Sequence, residues 1–364
     1  MKHISALLLI ALAFCACSGD QAGARCESNS NCAANQFCSA GKCASGGLVQ
    51  TLLEGSVAHR LAFAPEADLL AAGGNPVVLW DTSTWEQQLG IPITSSLPMA
   101  LAFSPDGSLL AGAVDAEISL WSSATGDAVR TFDGHPEGVP DGFPEGGVAN
   151  LAFAPDGSKL ASAGGNDNSA RVWRVSDGAQ LMAVQGFPNT TDPNSGYPPP
   201  SCTRVAFSPD ATAVLALVND APNSKFALKA WSLADGQERL SIQEGTTPIT
   251  RLAVAGEFVA ANVGRAIKLW KLEDGSEVRE IGGDAHQDDI LTLGFTRDGR
   301  LLASGTSDGE GNIRIWRVED GELLATFETG DGVKQLAFSR AGRFIASASY
   351  GSKGVLVHDI AALQ

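Results

Sequence analysis

Side chains that could carry out acid–base, nucleophilic or metal chemistry are few in this chain and widely spaced. Residues 305–309 have the Gly-x-Ser-x-Gly pattern that exposes a nucleophilic serine, but that chemistry needs a strand leading into a helix, and here a loop between two strands is expected. No phosphate-binding glycine loop or cofactor signature is present. The histidines show no metal-ligand spacing to one another: His3, His59, His135, His286 and His358. We therefore predict no catalytic residue, metal site or cofactor.

Cysteine is the reactive residue type with a clear pattern. Six of the seven cysteines precede residue 44, and only Cys202 lies in the rest of the chain, where we expect a small buried thiol. Four cysteines are separated by five, five and four intervening residues, among Asn, Ser, Ala and Gly: Cys26, Cys32, Cys38 and Cys43. In an exported chain this spacing predicts two disulfides, with three pairings open. Zinc is the alternative, but its sites usually show two-residue cysteine spacing.

The start of the chain predicts export. An apolar run over residues 4–14 follows Met1-Lys2-His3 and is too short to span a bilayer, which is typical of a signal peptide. Residues 12–18 resemble the lipobox of bacterial lipoproteins, in which the cysteine after a small residue is acylated. The resemblance implies a signal peptide over residues 1–16 and a lipid on Cys17, although Phe14 stands where that family has Leu.

Two further expectations concern the anchor. Ser18, rather than Asp, after the lipidated cysteine implies by the same resemblance retention at the outer membrane. Residues 17–47 would form a tether with the disulfide module, which resembles the short four-Cys modules of envelope proteins and acts as a spacer or a recognition knob. The alternative is a signal peptide cut after a small residue, which gives a soluble secreted protein.

Composition excludes several classes of protein. The chain has 364 residues, of which 41 are Gly and 17 Pro, while 44% are hydrophobic, so it is a turn-rich globular body rather than a disordered chain. Lys and Arg number 25 against 41 Asp and Glu, a net charge of −16. Such a surface repels phosphate backbones, so nucleic acid is not expected as a partner.

An internal repeat organises residues 48–364. An apolar triplet that usually ends in Phe is followed by a Pro-Asp-Gly turn or a variant of it, a Leu-Ala pair and an apolar run that ends in Trp. The triplet recurs seven times at intervals of 40 to 54 residues, beginning at Leu61, Leu101, Leu151, Val205, Leu252, Leu293 and Leu336. The seventh copy has His358 in place of Trp. Each copy reads as four short strands joined by tight turns.

Four strands, about 40 residues and a terminal Trp resemble the WD-repeat family. The resemblance implies an all-β fold, a seven-bladed β-propeller of four-stranded antiparallel blades. The last copy lacks an outer strand, and residues 48–54 form a predicted strand that precedes the first copy and belongs to none of the seven. We therefore expect this strand to pair with the last blade and close the ring.

The family also implies a hydrogen-bonded set of His, Ser, Asp and Trp in its blades. The full set matches one repeat, as His286, Ser304, Asp308 and Trp316. Elsewhere members are missing or, like His135, displaced by an insertion, so the other blades are expected to depend on apolar packing.

Insertions favour one face of the ring. By the family's strand order, three insertions all lie on the face of the ring called the top, on blades 2 to 4: residues 133–147, 186–201 and 219–225. A rigid disc with long loops on one side is typical of a binding surface. Exposed aromatic and acidic side chains would contact the partner. The candidates are His135, Glu137, Asp141, Phe143, Phe187, Tyr197 and Tyr350. Alternatively, the aromatic rings fold down onto the blades. The first insertion, residues 133–147, is acidic enough to suggest calcium binding, although it lacks a regular calcium-binding motif.

These patterns predict a non-catalytic scaffold that binds another protein of the cell envelope and reaches the outer membrane through its N-terminal lipid. The alternative is a periplasmic propeller hydrolase or a small-ligand or calcium-binding protein that uses carboxylates of the top loops. The partner, the disulfide pairing, the membrane face and the oligomeric state are left open by the residues.

Overall fold

The computed structural model describes the backbone of residues 36–39, 42–45, 47–54, 58, 60–93, 99–114, 116–135, 147–165, 167–187, 200–220, 223–243, 245–307, 309–349 and 353–364, and side chains from residue 47 onward apart from residues 243 and 284. These residues form thirty β-strands and two 3-10 helices, Gly283–Ala285 and Ala361–Leu363. Within this part of the chain no helix is long and apolar enough to cross a bilayer.

Twenty-eight strands pair into seven four-stranded antiparallel sheets, which we call blades 1 to 7. Blade 1 contains β4 (Arg60–Phe63), β5 (Leu69–Gly73), β6 (Val77–Asp81) and β7 (Gln87–Ile91). Blade 2 contains β8 (Ala100–Phe103), β9 (Leu109–Val114), β10 (Glu117–Ser122) and β11 (Ala128–Asp133). Blade 3 contains β12 (Val148–Phe153), β13 (Lys159–Gly164), β14 (Ser169–Arg174) and β15 (Gln180–Gln185). Blade 4 contains β16 (Ser201–Phe207), β17 (Ala213–Asp220), β18 (Lys225–Ser232) and β19 (Glu238–Gln243).

The remaining blades follow the same order. Blade 5 contains β20 (Leu252–Ala255), β21 (Phe258–Val263), β22 (Ala266–Lys271) and β23 (Glu277–Ile281). Blade 6 contains β24 (Ile290–Phe295), β25 (Leu301–Thr306), β26 (Asn312–Arg317) and β27 (Leu323–Glu328). Blade 7 contains β28 (Val333–Phe338), β29 (Phe344–Ser349), β30 (Val355–Asp359) and, from the other end of the chain, β3 (Gly47–Leu52).

The seven sheets form a closed ring. The first strand of each blade contacts the first strand of the next, from β4 through β8, β12, β16, β20, β24 and β28 back to β4. Seven apolar clusters fill the spaces between neighbouring blades, one for each interface. The predicted all-β, seven-bladed propeller is therefore confirmed.

Strand position within a blade determines burial. The second strand is buried along nearly its whole length, as in β25, because neighbouring blades cover both of its faces. The fourth strand is mostly exposed, as in β11, because nothing packs outside it. The turn between first and second strands needs a left-handed residue, which is Gly157 in blade 3 and Ala211 in blade 4.

Blade 7 joins the two ends of the repeat region. Its outer strand β3 pairs antiparallel with β30, so that Leu48 lies opposite His358 and Leu52 opposite Val355. The side chain of Leu52 is buried in the apolar cluster between blades 7 and 1. This pairing protects the outer edge of β30, and the strand begins and ends one to two residues earlier than the range 48–54.

A separate hairpin precedes the ring. β1 (Gln36–Ser39) and β2 (Lys42–Ser45) pair antiparallel, with the Cα of Cys38 opposite that of Cys43, and β1 lies against β27 of blade 6. Cys17, Cys26 and Cys32 lie outside the described residues, so lipidation at Cys17 and the two disulfides stay predictions.

Candidate binding surface at the top of the ring

The two faces of the ring differ in the length of their connections. We call top the face where the outer strand of one blade leads into the inner strand of the next, and bottom the face with the Asp-containing turns. The long top connections span residues 134–147 and 186–200, and the β17–β18 hairpin, with two strands of eight residues, rises on the same face. The elaborated connections therefore belong to adjacent blades 2, 3 and 4.

Five of the predicted partner-binding residues lie outside the described residues: Glu137, Asp141, Phe143, Tyr197 and Tyr350. Their contact with a partner stays a prediction. The two others, His135 and Phe187, are described at the beginnings of the two long connections.

Phe187 packs down onto the propeller. Its ring is half-buried against the cluster between blades 3 and 4, and the ammonium group of Lys229 lies 5.3 Å from the ring centroid. The side chain of Asn168 donates a hydrogen bond to the main-chain carbonyl of Phe187. Phe187 therefore fixes the start of its connection on the blades, as expected if the aromatic rings fold down.

His135 is buried, with only 2% of its surface exposed, in a hydrogen-bonded chain within blade 3. Its Nδ1 lies 2.8 Å from Oδ2 of Asp167, and its Nε2 lies 2.8 Å from Oγ of Ser162. The indole N–H of Trp173 donates to the same Ser162 oxygen at 2.8 Å. The His, Ser, Asp and Trp set is thus complete in blade 3, and the predictions that His135 is displaced and that it contacts a partner are wrong.

The position of His135 is determined before the insertion begins. The main-chain N–H groups of Gly134 and His135 both donate to the carbonyl of Ala116, at 2.7 and 3.2 Å. Ala116 belongs to the second-to-third-strand turn of blade 2, so the histidine is held by the preceding blade and the extra residues follow it. The insertion therefore lengthens the connection after His135 and does not displace the histidine.

Blade 6 brings together three of the four members of the set that the sequence predicts. Trp316 donates to Oγ of Ser304 at 2.9 Å, and Ser304 lies 3.1 Å from Nε2 of His286. The other ring nitrogen of His286 faces the guanidinium of Arg314 at 2.7 Å, and Arg314 forms an ion pair with Glu310. Asp308, the fourth predicted member, lies outside the described residues.

Burial controls the protonation of these groups. Desolvation and the charge of Arg314 lower the pKa of His286 to about 4, and desolvation alone lowers that of His358 to about 4. For Asp167, burial raises the pKa, but hydrogen bonds from His135 and Ser169 outweigh it and the pKa lies below its ordinary value. Burial raises the pKa of the fully buried Cys202 thiol well above its usual range, so this cysteine is unreactive.

A feature that sequence reasoning missed is the residue immediately before each apolar triplet. Its side chain faces the central channel, and in five blades it forms a hydrogen bond with the main chain at or just before the next inner strand. Three of these side chains donate to a carbonyl: Arg60 to Met99, Arg251 to Leu291 and Gln335 to Leu61. Asn150 accepts from the N–H of Val205, and Thr292 accepts from the N–H of Leu336. The sequence signal was a polar residue at this position in six of seven copies, with Ala100 the exception.

The channel has two chemically different ends. Near the bottom face, a cavity of about 890 Å³ is lined by the phenylalanines that end six of the inner strands. Near the top face, a narrower section of about 210 Å³ is lined by the polar residues that precede the triplets. Among the residues with described side chains, no group of three or more His, Cys, Asp or Glu could hold a metal ion.

Comparisons with known proteins agree with this fold. Residues 93–122 and 126–174 match the family model "WD domain, G-beta repeat", and residues 262–341 match the "Anaphase-promoting complex subunit 4 WD40 domain". These segments of the chain are therefore similar to WD40 repeats.

Similar proteins include Periodic tryptophan protein 2 of Arabidopsis thaliana, 27% identical over 70% of this chain and 25% of that protein. Protein groucho of Drosophila melanogaster is 24% identical over 68% of this chain and 31% of its own length. The guanine nucleotide-binding protein subunit beta of Arabidopsis thaliana is 26% identical over 69% of this chain and 53% of its own length. The chain thus matches between a quarter and about half of these relatives.

Proposed function

We propose that this protein is a non-catalytic scaffold that binds another protein through the top face of blades 2, 3 and 4. The observation that carries the proposal is the one-sided elaboration: connections 134–147 and 186–200 and the long β17–β18 hairpin share one face of three adjacent blades. A closed ring packed by seven apolar clusters holds the strands from which these connections start and to which they return.

The relatives support the same class of function. Two of the matched names, Anaphase-promoting complex subunit 4 and guanine nucleotide-binding protein subunit beta, are those of subunits of larger assemblies. By analogy of fold, this chain acts through contact with another protein rather than through chemistry.

A crosslinking pulldown tests the proposal. We expect the full chain to retain a stoichiometric protein partner, and Phe143→Ala combined with Tyr197→Ala to lose it. The matched control is Val129→Ala combined with Leu181→Ala, which removes two exposed apolar side chains from outer strands of blades 2 and 3. Equal capture by both double variants contradicts a top-face site. Absence of a partner, together with a metal ion or small molecule in native mass spectrometry, favours the hydrolase, small-ligand or calcium-binding alternative.

We also propose that a lipid on Cys17 anchors the protein to the outer membrane of a bacterial envelope, where the partner resides. The support is the lipobox-like run over residues 12–18. Cys17→Ala is expected to lose lipid labelling and to leave the membrane fraction, whereas Cys202→Ala, at a buried thiol in the propeller, is expected to keep both. Membrane association of the Cys17→Ala variant contradicts the anchor.

A further inference from the structure

A cavity of about 940 Å³ lies near the bottom face, between blades 5, 6 and 7. Cavities of about 300–1,000 Å³ with mainly apolar walls are typical of small-molecule sites. Phe258 and Val278 of blade 5 are only half-buried, so they leave apolar surface open to a ligand. The apolar wall of the cavity consists of Phe258, Leu269, Val278, Leu301, Val318 and Leu363.

Five arginines also line this cavity, and four of them have carboxylate partners. Arg279 of β23 is the fifth, and its guanidinium forms no ion pair or hydrogen bond with a described residue. Its Nε is buried without a hydrogen-bond partner. A cation left unpaired beside an apolar wall is a group that an anionic ligand can satisfy. The four ion-paired arginines are Arg297 and Arg340 with Glu66, Arg300 with Asp298, and Arg317 with Asp320 and Glu322.

The equivalent residue of blade 2 shows which contact Arg279 lacks. Arg130 and Arg279 each lie on the outer strand opposite the leucine that precedes the Trp of their blade. Arg130 donates a hydrogen bond at 2.7 Å to the main-chain carbonyl of Ser176 in blade 3. The stem of Arg279 likewise reaches the next blade, with its Cδ beside Gly321, but its guanidinium makes no such bond to a described residue. The protein satisfies this position in blade 2 and leaves it open in blade 5.

The acidic side chains of the lining limit the charge of a ligand. They are Asp298, which is paired with Arg300, and Glu319 on the blade 6 side of the cavity. Glu319 repels a second anionic group at close range. One available guanidinium next to an apolar wall therefore complements a single negative charge on an apolar body.

We infer that this cavity binds an aliphatic monocarboxylate of the fatty-acid class, with the carboxylate on Arg279 and the chain along the apolar wall. A guanidinium and a carboxylate form paired, charge-assisted hydrogen bonds, which are stronger than those between neutral groups. Removal of the chain from water adds affinity in proportion to the apolar area that is covered. The inference is independent of the proposed protein partner, because the cavity lies near the bottom face and the proposed binding surface lies on the top of blades 2 to 4.

Calorimetric titration of the full chain with octanoate at pH 7.5 tests the inference. Two control compounds separate the parts of the ligand: acetate has the carboxylate without the chain, and octanol has the chain without the charge. We expect one octanoate to bind per chain, at least about tenfold more tightly than either control, because only octanoate uses both the guanidinium and the wall. Absence of octanoate binding, or an equal affinity for either control, overturns the inference.

Matched substitutions locate the binding. Arg279→Gln is expected to weaken octanoate binding about tenfold, whereas Arg130→Gln, at the equivalent position of blade 2, should leave it unchanged. Val278→Asp places a negative charge on the apolar wall and should weaken octanoate binding at least about tenfold. Val129→Asp makes the same change one residue before Arg130 and should leave octanoate binding unchanged. Equal affinities within the two pairs overturn the assignment to this cavity.

Two further measurements separate a ligand contact from a structural role of Arg279. Because its guanidinium has no described partner in the unliganded protein, Arg279→Gln should melt at the temperature of the unaltered chain and should bind octanol equally well. A large loss of stability, or a loss of octanol affinity as great as that of octanoate, shows a structural role and overturns the inference. Arg279→Lys keeps the charge and is expected to retain most of the octanoate affinity, and loss of binding in a folded Lys variant contradicts recognition by charge.

Discussion

His135 and His286 lie in equivalent hydrogen-bonded chains, but their Nδ1 atoms have opposite hydrogen-bond roles. In blade 3, Nδ1 of His135 faces the carboxylate of Asp167, which only accepts, so Nδ1 must donate. In blade 6, Nδ1 of His286 faces the guanidinium of Arg314, which only donates, so Nδ1 must accept. One family pattern is thus satisfied by two different electrostatic environments.

The blade 3 chain should contribute measurably to stability. Ser162→Ala removes the oxygen that both His135 and Trp173 use, and leaves their buried ring nitrogens without that partner. We expect a loss of about 1–3 kcal/mol in the free energy of unfolding, measured by chemical denaturation. Ser119→Ala, at a hydroxyl in an exposed environment on β10, is the control and should change it by less than about 0.5 kcal/mol. Equal effects of the two substitutions contradict the role of the chain.

His358 presents the opposite case, because it occupies the Trp position without the Trp contacts. Its Nδ1 is buried and has no hydrogen-bond partner among the described residues, and its ring packs 4.7 Å from that of Phe327. Burial lowers its pKa to about 4, below the ordinary value of 6.5, so the folded state resists protonation. Stability is therefore complete above about pH 6.5 and is lost as the pH falls from there towards 4.

His358→Phe should remove this acid sensitivity. We expect the variant to equal or exceed the unaltered chain in stability at pH 7.5, and to exceed it by a further 1–2 kcal/mol or so at pH 5, since one pKa unit corresponds to about 1.4 kcal/mol. Denaturant unfolding at the two pH values measures the difference. If the gap between the two proteins is the same at both, titration of His358 does not affect folding.

Side chains form the hydrogen bonds between neighbouring blades, because the inner strands of adjacent blades do not pair through their main chains. The inner strands of neighbouring blades contact each other without forming one sheet. Thr292 in blade 6 accepts a hydrogen bond at 3.2 Å from the N–H of Leu336 in blade 7, and Gln335 donates at 2.7 Å to the carbonyl of Leu61 in blade 1. In five blades the residue before the triplet therefore joins one blade to the next.

Thr292→Val tests this connection. Valine has nearly the same shape as threonine but accepts no hydrogen bond, so the N–H of Leu336 loses its partner. We expect a loss of about 1–2 kcal/mol in unfolding free energy. Thr292→Ser keeps the hydroxyl and should retain most of the stability, and a serine variant as unstable as the valine variant would attribute the effect to packing.

The closing strand β3 offers a matched pair of substitutions. Leu52 is 5% exposed and lies in the cluster between blades 7 and 1, whereas Val49 on the same strand is 42% exposed. Leu52→Asp buries a charge at the junction and should lower the unfolding free energy by at least about 3 kcal/mol. Val49→Asp should change it by less than about 1 kcal/mol.

Deletion of residues 48–54 should greatly lower the melting temperature, and an unchanged melting temperature contradicts closure by this strand.

Across the whole ring, the bottom face carries aspartates with lowered pKa values. In eight turns, hydrogen bonds from nearby N–H or hydroxyl groups stabilise the charged carboxylate: Asp81, Asp106, Asp156, Asp177, Asp210, Asp235, Asp274 and Asp320. Because each folded pKa lies below the unfolded value of 3.8, their contribution is present above pH 3.8 and is lost as the pH falls through the folded pKa values.

The free energy of unfolding should therefore fall with pH at two different slopes, one above about pH 4 and one below it. Between pH 6.5 and 4, the slope of unfolding free energy against pH should correspond to uptake of at most about two protons, from His286 and His358. Below pH 4, the slope should steepen as the turn aspartates protonate. A series of denaturant titrations from pH 8 to 3 measures both slopes, and a single uniform slope contradicts the assignment.

The repeat made the fold predictable, because each blade is encoded by a local segment with the same buried positions and turn residues. Seven triplets predicted seven blades. The channel surface was less predictable, since Arg, Asn, Thr and Gln occupy equivalent positions and share location rather than chemistry. His135 was misassigned because the length of the loop conceals the main-chain hydrogen bonds to the preceding blade. The placement of Phe187 involves Lys229, which contacts its ring, and Asn168, which bonds to its main chain, and these two residues belong to different blades.

The pairing of β3 with β30 has a consequence for how the molecule assembles. Six blades form from contiguous segments and need only local search, but blade 7 requires two strands from opposite ends of the repeat region to meet. Pairing over so large a separation in sequence is slow, because the entropy of closing the intervening chain must be overcome first. Until it forms, β30 presents an open edge that can pair with another molecule. The rate of this last step, rather than the stability of any blade, should determine how much of the newly made chain aggregates.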